Sequence, residues 1–396
     1  MPAAALNYAS TYGRTLEQAF PYVLYFGRLY ATPSNGRYRI GDNGKTCYFP
    51  HISTGGRVDA DNDTISNAAR DYENSWEPKT LRNHRKWKTT VHPRDVDLTN
   101  MATTIENITT EFNNSQKFPE MDAYCVSRIY ADWRELLFAP TIATLTTSNI
   151  LDKFDELMQK MDEKRVPATG RVLYLTPRIS RMLKNASGVS RNFNTQGGGS
   201  NIDRIVTALD NVEIVVVPPE LMKTAYSFNK GWAPAATAKQ IDMLLIHPLT
   251  VITPVNYEFS KLDEPGANTD GMYIYFERSD EDVFVLNYKA NGIQFIMADA
   301  GDADALTVAS TAGTTTAGDT VITVTGAETS GTTLGYKIAS ASIDAPKLGD
   351  EPTDYTEFES GDTITGQTAN HYIRVVELNA DGKVLSTGQA QLTVKA

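Results

Sequence analysis

The segment RVLYLTPRISRMLKN, Arg171–Asn185, predicts a change of secondary structure within one short stretch. Its first part, VLYL, is a short apolar run typical of a buried strand. Thr176 and Pro177 then predict a helix start, because a hydroxyl can cap a helix and proline is favoured at the first helical position. The helix is predicted to run through RISRMLKNASG to Gly188, since glycine commonly ends helices. The segment therefore predicts a strand that leads directly into a helix.

More strands and one more helix are predicted on the C-terminal side of this unit. IDRIVTALDN is predicted to be the helix. VEIVVVPP and IDMLLIHPLTVITPV are apolar on both faces, as buried strands are. GMYIYFERSDEDVFVLNYKANGIQFIMA is predicted to form two strands around a polar turn at Arg278–Asp282. Together these elements predict a compact domain of mixed helices and strands.

Two amphipathic helices are predicted on the N-terminal side. The first is EMDAYCVSRIYADWRELLFA, in which apolar residues recur at every fourth position and form one stripe. These residues are Met121, Cys125, Ile129, Trp133 and Leu137. The upstream segment MATTIENITTEF is a candidate extension of this helix, with Pro119 at the join. The second helix, SNILDKFDELMQKMDEKR, is predicted to be capped by Ser148. Its apolar face consists of Ile150, Phe154, Leu157, Met158 and Met161.

A long β-hairpin is predicted between Arg37 and Leu98. Its legs are GKTCYFPHI and HRKWKTTVH, and the polar segment GGRVDADNDTISNAARDYENS is its tip. Side chains alternate between the faces of a strand, so the return leg has a cationic side. One side has Leu81, Arg85, Trp87, Thr89 and Val91, and the other has Arg82, His84, Lys86 and Lys88. Roughly 60 residues exceed what a compact core covers, so the hairpin is predicted to project outward.

The sequence from Asp302 onward differs in composition from the rest. It is rich in threonine and glycine, and it holds 13 acidic and 5 basic residues, a net charge of -8 within a chain of -11. Short strand candidates occur at near-regular spacing, and HYIRVVELNADGKVLSTG predicts a hairpin with its turn at Asn379–Gly382. The strand candidates are TVITVTG, LGYKIAS, HYIRVVEL and AQLTVKA. This pattern predicts a small β-sandwich of the immunoglobulin-like class.

The segment KTLRNHRKWKTTVHPR, Lys79–Arg94, carries six Lys or Arg residues and no carboxylate. It has three interpretations. The cations are a solvated strand face, they contact nucleic acid with Trp87 as a stacking residue, or they form a seam against an acidic surface of another subunit. A projecting hairpin has little reason to be long unless it docks on a neighbour, which favours the third interpretation. The predicted inter-subunit contact residues are Arg82, Arg85, Lys86, Trp87 and Lys88.

Several function classes are disfavoured by what the sequence lacks. Cys47 and Cys125 are the two cysteines, and they form neither a disulfide framework nor a zinc spacing. No export signal and no membrane-spanning run is visible. The histidines show no metal-ligand spacing, and His247, inside an apolar run, is predicted to be packed. The glycine-rich TQGGGSNIDR is predicted to be a surface loop because it lacks the Lys-Ser/Thr of a phosphate-binding loop. We therefore predict no catalytic residue, cofactor site or metal site, and not an enzyme.

The order of these elements resembles the major capsid proteins of tailed bacteriophages, which have the Hong Kong 97 fold. The residues that carry the resemblance are the hairpin GKTCYFPHI to KWKTTVHPR, the helix EMDAYCVSRIYADWRELL, RVLYLTPRISRMLKN, VEIVVVPP and GMYIYFERSDEDVFVLNYKANGIQF. The likeness covers roughly residues 1–300, and the tail resembles the bacterial immunoglobulin-like modules that some capsid proteins append. The fold class it implies is α+β.

The resemblance implies an assignment of parts along the chain. They are an N-terminal arm (1–36), an extended loop (37–98), a spine helix in the peripheral domain (99–139), an axial domain (140–255), peripheral-domain strands (256–300) and an immunoglobulin-like β-sandwich (301–396). The short arm before the loop implies a separate scaffolding protein.

The implied function is an icosahedral head shell that encloses double-stranded DNA without sequence-specific binding. The implied partners are copies of this chain in pentamers and hexamers, a portal and other head proteins, with the acidic C-terminal domain outside, where it would contact host surfaces or glycans. The protein would assemble in the bacterial cytoplasm, reside in the virion and use no membrane. Two alternatives stay open at this point, namely an encapsulin-like nanocompartment shell and a secreted immunoglobulin-domain adhesin. The absence of a signal peptide counts against the adhesin.

Overall fold

The computed structural model describes residues 22–36, 38–41, 44–57, 70–98, 104–186, 208–328 and 330–396 of the 396-residue chain. The chain divides into two compact units. The first unit comprises Met1–Met121 and Val251–Phe284, and the second comprises Asp122–Thr250 and Val285–Ala396.

The described residues form both helices and strands. The α-helices are α1 (Gly27–Tyr30), α2 (Pro93–Leu98), α3 (Ile105–Phe112), α4 (Phe118–Glu135), α5 (Ile150–Glu163) and α6 (Pro177–Asn185). The strands before the C-terminal region are β1 (Arg39–Ile40), β2 (Thr46–Thr54), β3 (Tyr72–Thr80), β4 (Asn83–Val91), β5 (Thr141–Ile142), β6 (Val172–Leu175), β7 (Ala208–Leu209), β8 (Val212–Val216), β9 (Tyr226–Ser227), β10 (Ala233–Pro234), β11 (Met243–Ile246), β12 (Val251–Ile252), β13 (Val255–Asp263), β14 (Tyr273–Glu281), β15 (Phe284–Val285) and β16 (Ile293–Met297). The C-terminal strands are β17 (Asp304–Ala305), β18 (Thr307–Ala312), β19 (Thr320–Thr325), β20 (Thr333–Ala339), β21 (Thr356–Phe358), β22 (Thr363–Ile364), β23 (Tyr372–Leu378) and β24 (Val384–Gln391).

Two antiparallel three-stranded sheets build the first unit. One has the order β1-β2-β3, and its long strands β2 and β3 pair over nine residues each, from Thr46 opposite Thr80 to Thr54 opposite Tyr72. We call this pair of strands the ribbon. The other sheet has the order β13-β14-β4, so β4 pairs with a strand that lies about 190 residues later in the chain.

The helix at residues 105–135 is continuous but changes its winding. Thr104 caps α3, because its hydroxyl accepts a hydrogen bond from the Asn107 N–H at 3.3 Å. A π-helical segment, Asn113–Lys117, then joins α3 to α4, and the Phe118 N–H bonds to the Asn113 carbonyl five residues earlier. Pro119 lacks an N–H, so an ordinary α-helical bond is missing at this point, and the wider π turn accommodates the proline. The candidate extension of the helix through MATTIENITTEF is therefore observed from Ile105 onward.

A mixed six-stranded sheet in the order β5-β16-β11-β6-β8-β7 is the centre of the second unit. Helices α5 and α6 cover one face, where Phe154, Leu157, Ile179 and Leu183 pack with alternate residues of the central strands such as Leu173. Aromatic residues of α4 contact the other face, since the rings of Tyr130 and Trp133 lie 5.2 and 5.0 Å from the ring of Phe295. Burial on both faces explains why these strand sequences are almost wholly apolar.

The C-terminal region is a β-sandwich. One sheet has the order β17-β24-β23-β20-β21, and the other has the order β18-β19-β22. Residues of both sheets share one core, for example Ile322 and Ile364 from the smaller sheet and Ile373 and Val375 from the larger. The predicted hairpin turn is confirmed, because β23 pairs with β24 across Asn379–Lys383.

Four details of the sequence prediction need correction. The return leg of the hairpin is β3, YENSWEPKT, whereas the basic segment forms β4 in the other sheet. Arg278–Glu281 lie within the continuous strand β14, so they are not a turn. The N-cap of α5 is Asn149, not Ser148, and the strand predicted at AQLTVKA ends at Gln391. Most of the helix predicted at IDRIVTALDN lies outside the described residues, and the part that is described is not helical: Ala208 and Leu209 are in strand β7, and Asp210 and Asn211 form the turn that follows. Gly188 and TQGGGS also lie outside the described residues.

Candidate assembly surface of the first unit

The basic strand β4 alternates in burial as its sequence predicts. His84, Lys86 and Lys88 are exposed, whereas Arg85 and Trp87 are half-buried. Because neighbouring residues of a strand point to opposite faces, the strand has one face toward its own chain and one toward solvent.

The inward face of β4 is held by contacts within the first unit. The ring of Trp87 stacks on that of Phe112 in α3, with the centroids 3.8 Å apart and the planes 4° from parallel. Arg85 donates a hydrogen bond from Nη2 to Glu120 Oε2 at 2.8 Å. At the start of the strand, the backbone N–H of Arg82 donates to Asp282 Oδ2 at 2.7 Å. These three predicted contact residues thus have partners in their own chain.

The acidic run of β14 lies directly beside the basic run of β4. Their register places Asp280 opposite His84 and Glu277 opposite Trp87, and His84 Nδ1 lies 3.0 Å from Asp280 Oδ1. Burial raises the pKa of Glu281 at the end of the same strand. Asp280 therefore has a side-chain partner on β4 within the same sheet.

The outward face of this sheet combines cations with aromatic rings. Lys86 lies opposite Arg278, and Lys88 lies opposite Phe276. On β13 the rings of Tyr257 and Phe259 continue this face and stack 6.4 Å apart, and they are 45% and 40% exposed. We call this set the cationic sheet face; its cations and rings are Lys86, Lys88, Tyr257, Phe259, Lys261, Phe276 and Arg278. On the same face Asp263 pairs with Lys261 at 2.7 Å, and Asp280 lies 3.6 Å from Arg278. Such a mixture suits a partner that offers carboxylates together with apolar groups.

The base of the ribbon is anchored in the first unit. Cys47 and Phe49 are buried, and the ring of Phe49 lies 6.1 Å from that of Phe284 and 6.3 Å from that of Tyr38. Burial raises the pKa of the Cys47 thiol to about 11, so the thiol stays protonated at neutral pH. The anchor side chains all point to one face of the ribbon.

The other face of the ribbon is apolar and exposed. Cross-strand partners share a face, which places Pro50 with Trp76 and Thr54 with Tyr72. Ile52, Tyr72 and Trp76 are 65%, 55% and 49% exposed. We call this the apolar ribbon face; its apolar residues are Tyr48, Pro50, Ile52, Tyr72, Trp76 and Pro78, and the polar Thr54 and Asn74 lie among them. Contiguous exposed apolar side chains on an extended element mark an interaction site.

Sequence reasoning located the cations and missed the apolar ribbon face. The sequence prediction places YENS in the polar tip, which is rich in Gly, Asp and Asn, and assigns WEPKT to neither the tip nor a leg. Trp76 and Tyr72 were still a usable signal, since they lie four residues apart and therefore on one face of a strand.

The described residues contain no group of three or more His, Cys, Asp or Glu side chains that could hold a metal ion. His247 is packed as predicted: it is buried, its Nε2 lies 3.1 Å from the Thr169 carbonyl oxygen, and burial lowers its pKa. Among the described helices, none has the length and apolar character needed to cross a membrane.

Comparison with solved structures identifies the fold. The chain is similar to the capsid structure of cyanophage P-SCSP1u, with a TM-score of 0.55 and 13% identity over 73% of this chain and 92% of that chain. It is similar to the mature capsid of bacteriophage PhiM1, with a TM-score of 0.52 and 13% identity over 74% and 92% of the two chains. A structure from Mycobacterium phage Che8 matches with a TM-score of 0.50 and 11% identity over 74% and 98%.

The C-terminal region has a separate likeness. Residues 311–395 match the family of the S-layer protein SbsC C-terminal domain. No curated protein matches the chain. The protein therefore has the α+β fold of phage capsid proteins, the Hong Kong 97 type, followed by an S-layer-type, immunoglobulin-like β-sandwich.

Proposed function

We propose that this chain is the major capsid protein of a tailed bacteriophage, which self-assembles into the icosahedral head shell around packaged double-stranded DNA. The observation that carries the proposal is the ribbon, an extended pair of strands with an exposed apolar face. Such a surface stabilises the protein only when a second molecule covers it.

Repetition makes such contacts sufficient for a shell. Each interface needs to contribute only modestly, because every subunit in a closed ring engages several neighbours at once. In this proposal the apolar ribbon face supplies buried area, while the exposed Lys86 and Lys88 supply electrostatic complementarity that sets the register. The roles of Arg82, Arg85 and Trp87 are then to hold β4 in place beneath those two lysines, through the contacts described above.

The proposal includes the surroundings of the shell. The chain would form pentamers and hexamers with the aid of a separate scaffolding protein, contact a portal and other head proteins, and reside in the virion after assembly in the bacterial cytoplasm. The C-terminal sandwich, with its net charge of -8, would face away from the packaged DNA, since like charges repel.

Size-exclusion chromatography with light scattering on the recombinant chain tests this function. We expect capsomers of five or six subunits or closed shells, either alone or after excluded volume is increased with polyethylene glycol. Electron microscopy of the large fraction then separates two kinds of shell, because nucleic acid inside favours the phage head and protein cargo favours a nanocompartment. A monodisperse monomer under both conditions contradicts the proposal.

A further inference from the structure

The C-terminal sandwich is attached to the rest of the second unit by more than its chain connection. The turn between β23 and β24 places Lys383 against the segment Leu137–Ile142, which follows α4 and includes β5. Lys383 is 3% exposed, and its Nζ donates hydrogen bonds to the Pro140 carbonyl oxygen at 3.0 Å and to Thr141 Oγ1 at 2.9 Å. An ammonium group is costly to bury, so these acceptors are needed to keep it there.

A second side chain of the same turn makes a matching contact. Asn379 Nδ2 donates to the Leu137 carbonyl oxygen at 3.2 Å. Within the turn, Asn379 Oδ1 accepts from the backbone N–H groups of Asp381 and Lys383, both at 3.0 Å. The turn therefore has its own internal hydrogen bonds in addition to its contact with the segment. Leu137 has a left-handed backbone conformation, with φ of 65°.

The backbone of the sandwich also approaches the segment closely. Gly349 has φ of +83°, and a Cβ atom at this residue would lie 2.6 Å from the Pro140 carbonyl oxygen. A side chain is therefore excluded here by both space and backbone conformation. The neighbouring hydrogen bonds, from Gly349 N–H to Val384 O and from Val384 N–H to Asp350 O, tie this loop to the Lys383 turn.

Ion pairs continue the contact along the connection at residues 299–304. Arg134, near the end of α4, donates from Nη1 to the Phe138 carbonyl at 2.8 Å and lies 3.4 Å from Asp304 through Nη2. Asp299 is 2.8 Å from Lys239 and 3.4 Å from Lys347 of the sandwich. Exposed ion pairs contribute little individually, so the buried Lys383 contact is the main attachment of the sandwich to this segment.

We infer that the C-terminal sandwich functions as an intramolecular brace that holds the Leu137–Ile142 segment, and with it the edge strand β5, in place on the six-stranded sheet. β5 is only two residues long and pairs with β16 at Ile296 and Met297. Such a short edge strand needs support from outside the sheet. The sandwich supplies that support through donors that reach three successive parts of the segment, Leu137, Pro140 and Thr141.

Hydrogen–deuterium exchange on the full chain tests the brace. Lys383→Met keeps the aliphatic length and removes the donors. We expect backbone exchange in peptides covering residues 137–143 to become at least tenfold faster, while β20 and β23 keep their protection. The matched control is Lys395→Met, because Lys395 also donates to two backbone carbonyls, of Thr314 and Thr315, but within the sandwich. This control should leave the exchange rate of residues 137–143 unchanged.

A variant on the other side of the contact covers the case in which Lys383→Met unfolds the sandwich. Thr141→Val removes one acceptor of Lys383 without altering any residue of the sandwich. We expect faster exchange in peptides covering residues 379–384 and retained protection in β23. If Lys383→Met stays folded and the exchange rate of residues 137–143 does not change, the sandwich is not a brace. The same conclusion holds if Lys383→Met unfolds the sandwich and Thr141→Val does not change the exchange rate of residues 379–384. Neither readout depends on shell assembly, so this inference and the proposed function can fail separately.

Discussion

Trp76 offers the sharpest test of the apolar ribbon face, through the variant Trp76→Ala. The side chain is 49% exposed in the single chain. A tryptophan side chain of about 250 Å² therefore has about 120 Å² left for a neighbour to cover, and at about 25 cal/mol per Å² this area contributes about 3 kcal/mol to each ribbon contact. Such a loss weakens the contact by about a hundredfold.

The assay is the protein concentration at which large particles first appear, followed by light scattering across a dilution series. If each subunit contributes one ribbon contact, Trp76→Ala should raise that concentration by about two orders of magnitude. The other half of the side chain is buried within the chain, so the free energy of urea unfolding of the dispersed chain should also fall, by at most about 3 kcal/mol.

Two comparison variants make the result specific. Ser75→Ala alters the opposite face of the same strand and should assemble at the original concentration. Trp87→Ala should destabilise the dispersed chain without raising the assembly concentration, since Trp87 stacks inside the first unit. If Trp76→Ala assembles at the same concentration as the original chain, the apolar ribbon face is not an inter-subunit contact.

Three further predictions follow from the charges and contacts of single residues. Reversing Lys86 and Lys88 to Glu should prevent assembly and leave the dispersed chain folded by circular dichroism; normal assembly would remove the electrostatic role of these two lysines. Trp87→Ala should lower the free energy of unfolding of the first unit by about 3 kcal/mol in urea titrations, because the ring loses its stack on Phe112, and a change below about 1 kcal/mol would contradict this packing. Burial, followed by the charge of Lys160, lowers the pKa of Lys383 from 10.5 to about 8, so between about pH 8 and 10 the unfolded chain binds a proton that the folded chain lacks. The free energy of unfolding should therefore rise with pH in this window, by at most about 3 kcal/mol, and the rise should be absent in Lys383→Met.

Charged groups on several elements surround Lys383, and they affect how that pH dependence is interpreted. Lys160 shares the acceptor Thr141 Oγ1 at 3.3 Å and is itself paired with Glu156 at 2.7 Å. Glu351 and Asp381 raise the pKa of Lys383, against the larger effect of burial.

The parts of the fold that depend on neighbouring residues could be predicted from the sequence. Thr176 and Pro177 do begin α6, and although the Thr176 hydroxyl makes no capping hydrogen bond, the fixed φ of proline at the first helical position acts locally. The alternation of β4 was also predicted correctly, since it follows from strand geometry alone. The apolar face of α5, with Ile150, Phe154 and Leu157, is buried as its helical spacing indicates.

The pairing of strands could not be predicted in the same way. β4 and β3 are both polar, alternating segments of nine residues, and nothing in either of them specifies which one returns along β2. The choice depends on β14, whose carboxylates lie next to the basic side chains in space and far away in sequence. The turn predicted at Arg278–Asp282 was wrong for the same reason, because the backbone of Arg278–Glu281 pairs with distant residues of β4 and β13.

The docked turn of the C-terminal sandwich also fixes which of its ends is open to modification. β23 runs from Tyr372 toward Asn379, and its seven residues span about 23 Å at about 3.3 Å each. Thr368 and Ala369 precede this strand at the opposite end from Lys383, and both are exposed. A foreign peptide inserted between them would sit on a loop at the far end of the strand from the hydrogen bonds that Lys383 and Asn379 make to the Leu137–Ile142 segment, which makes this loop a suitable position for an affinity tag or a displayed epitope.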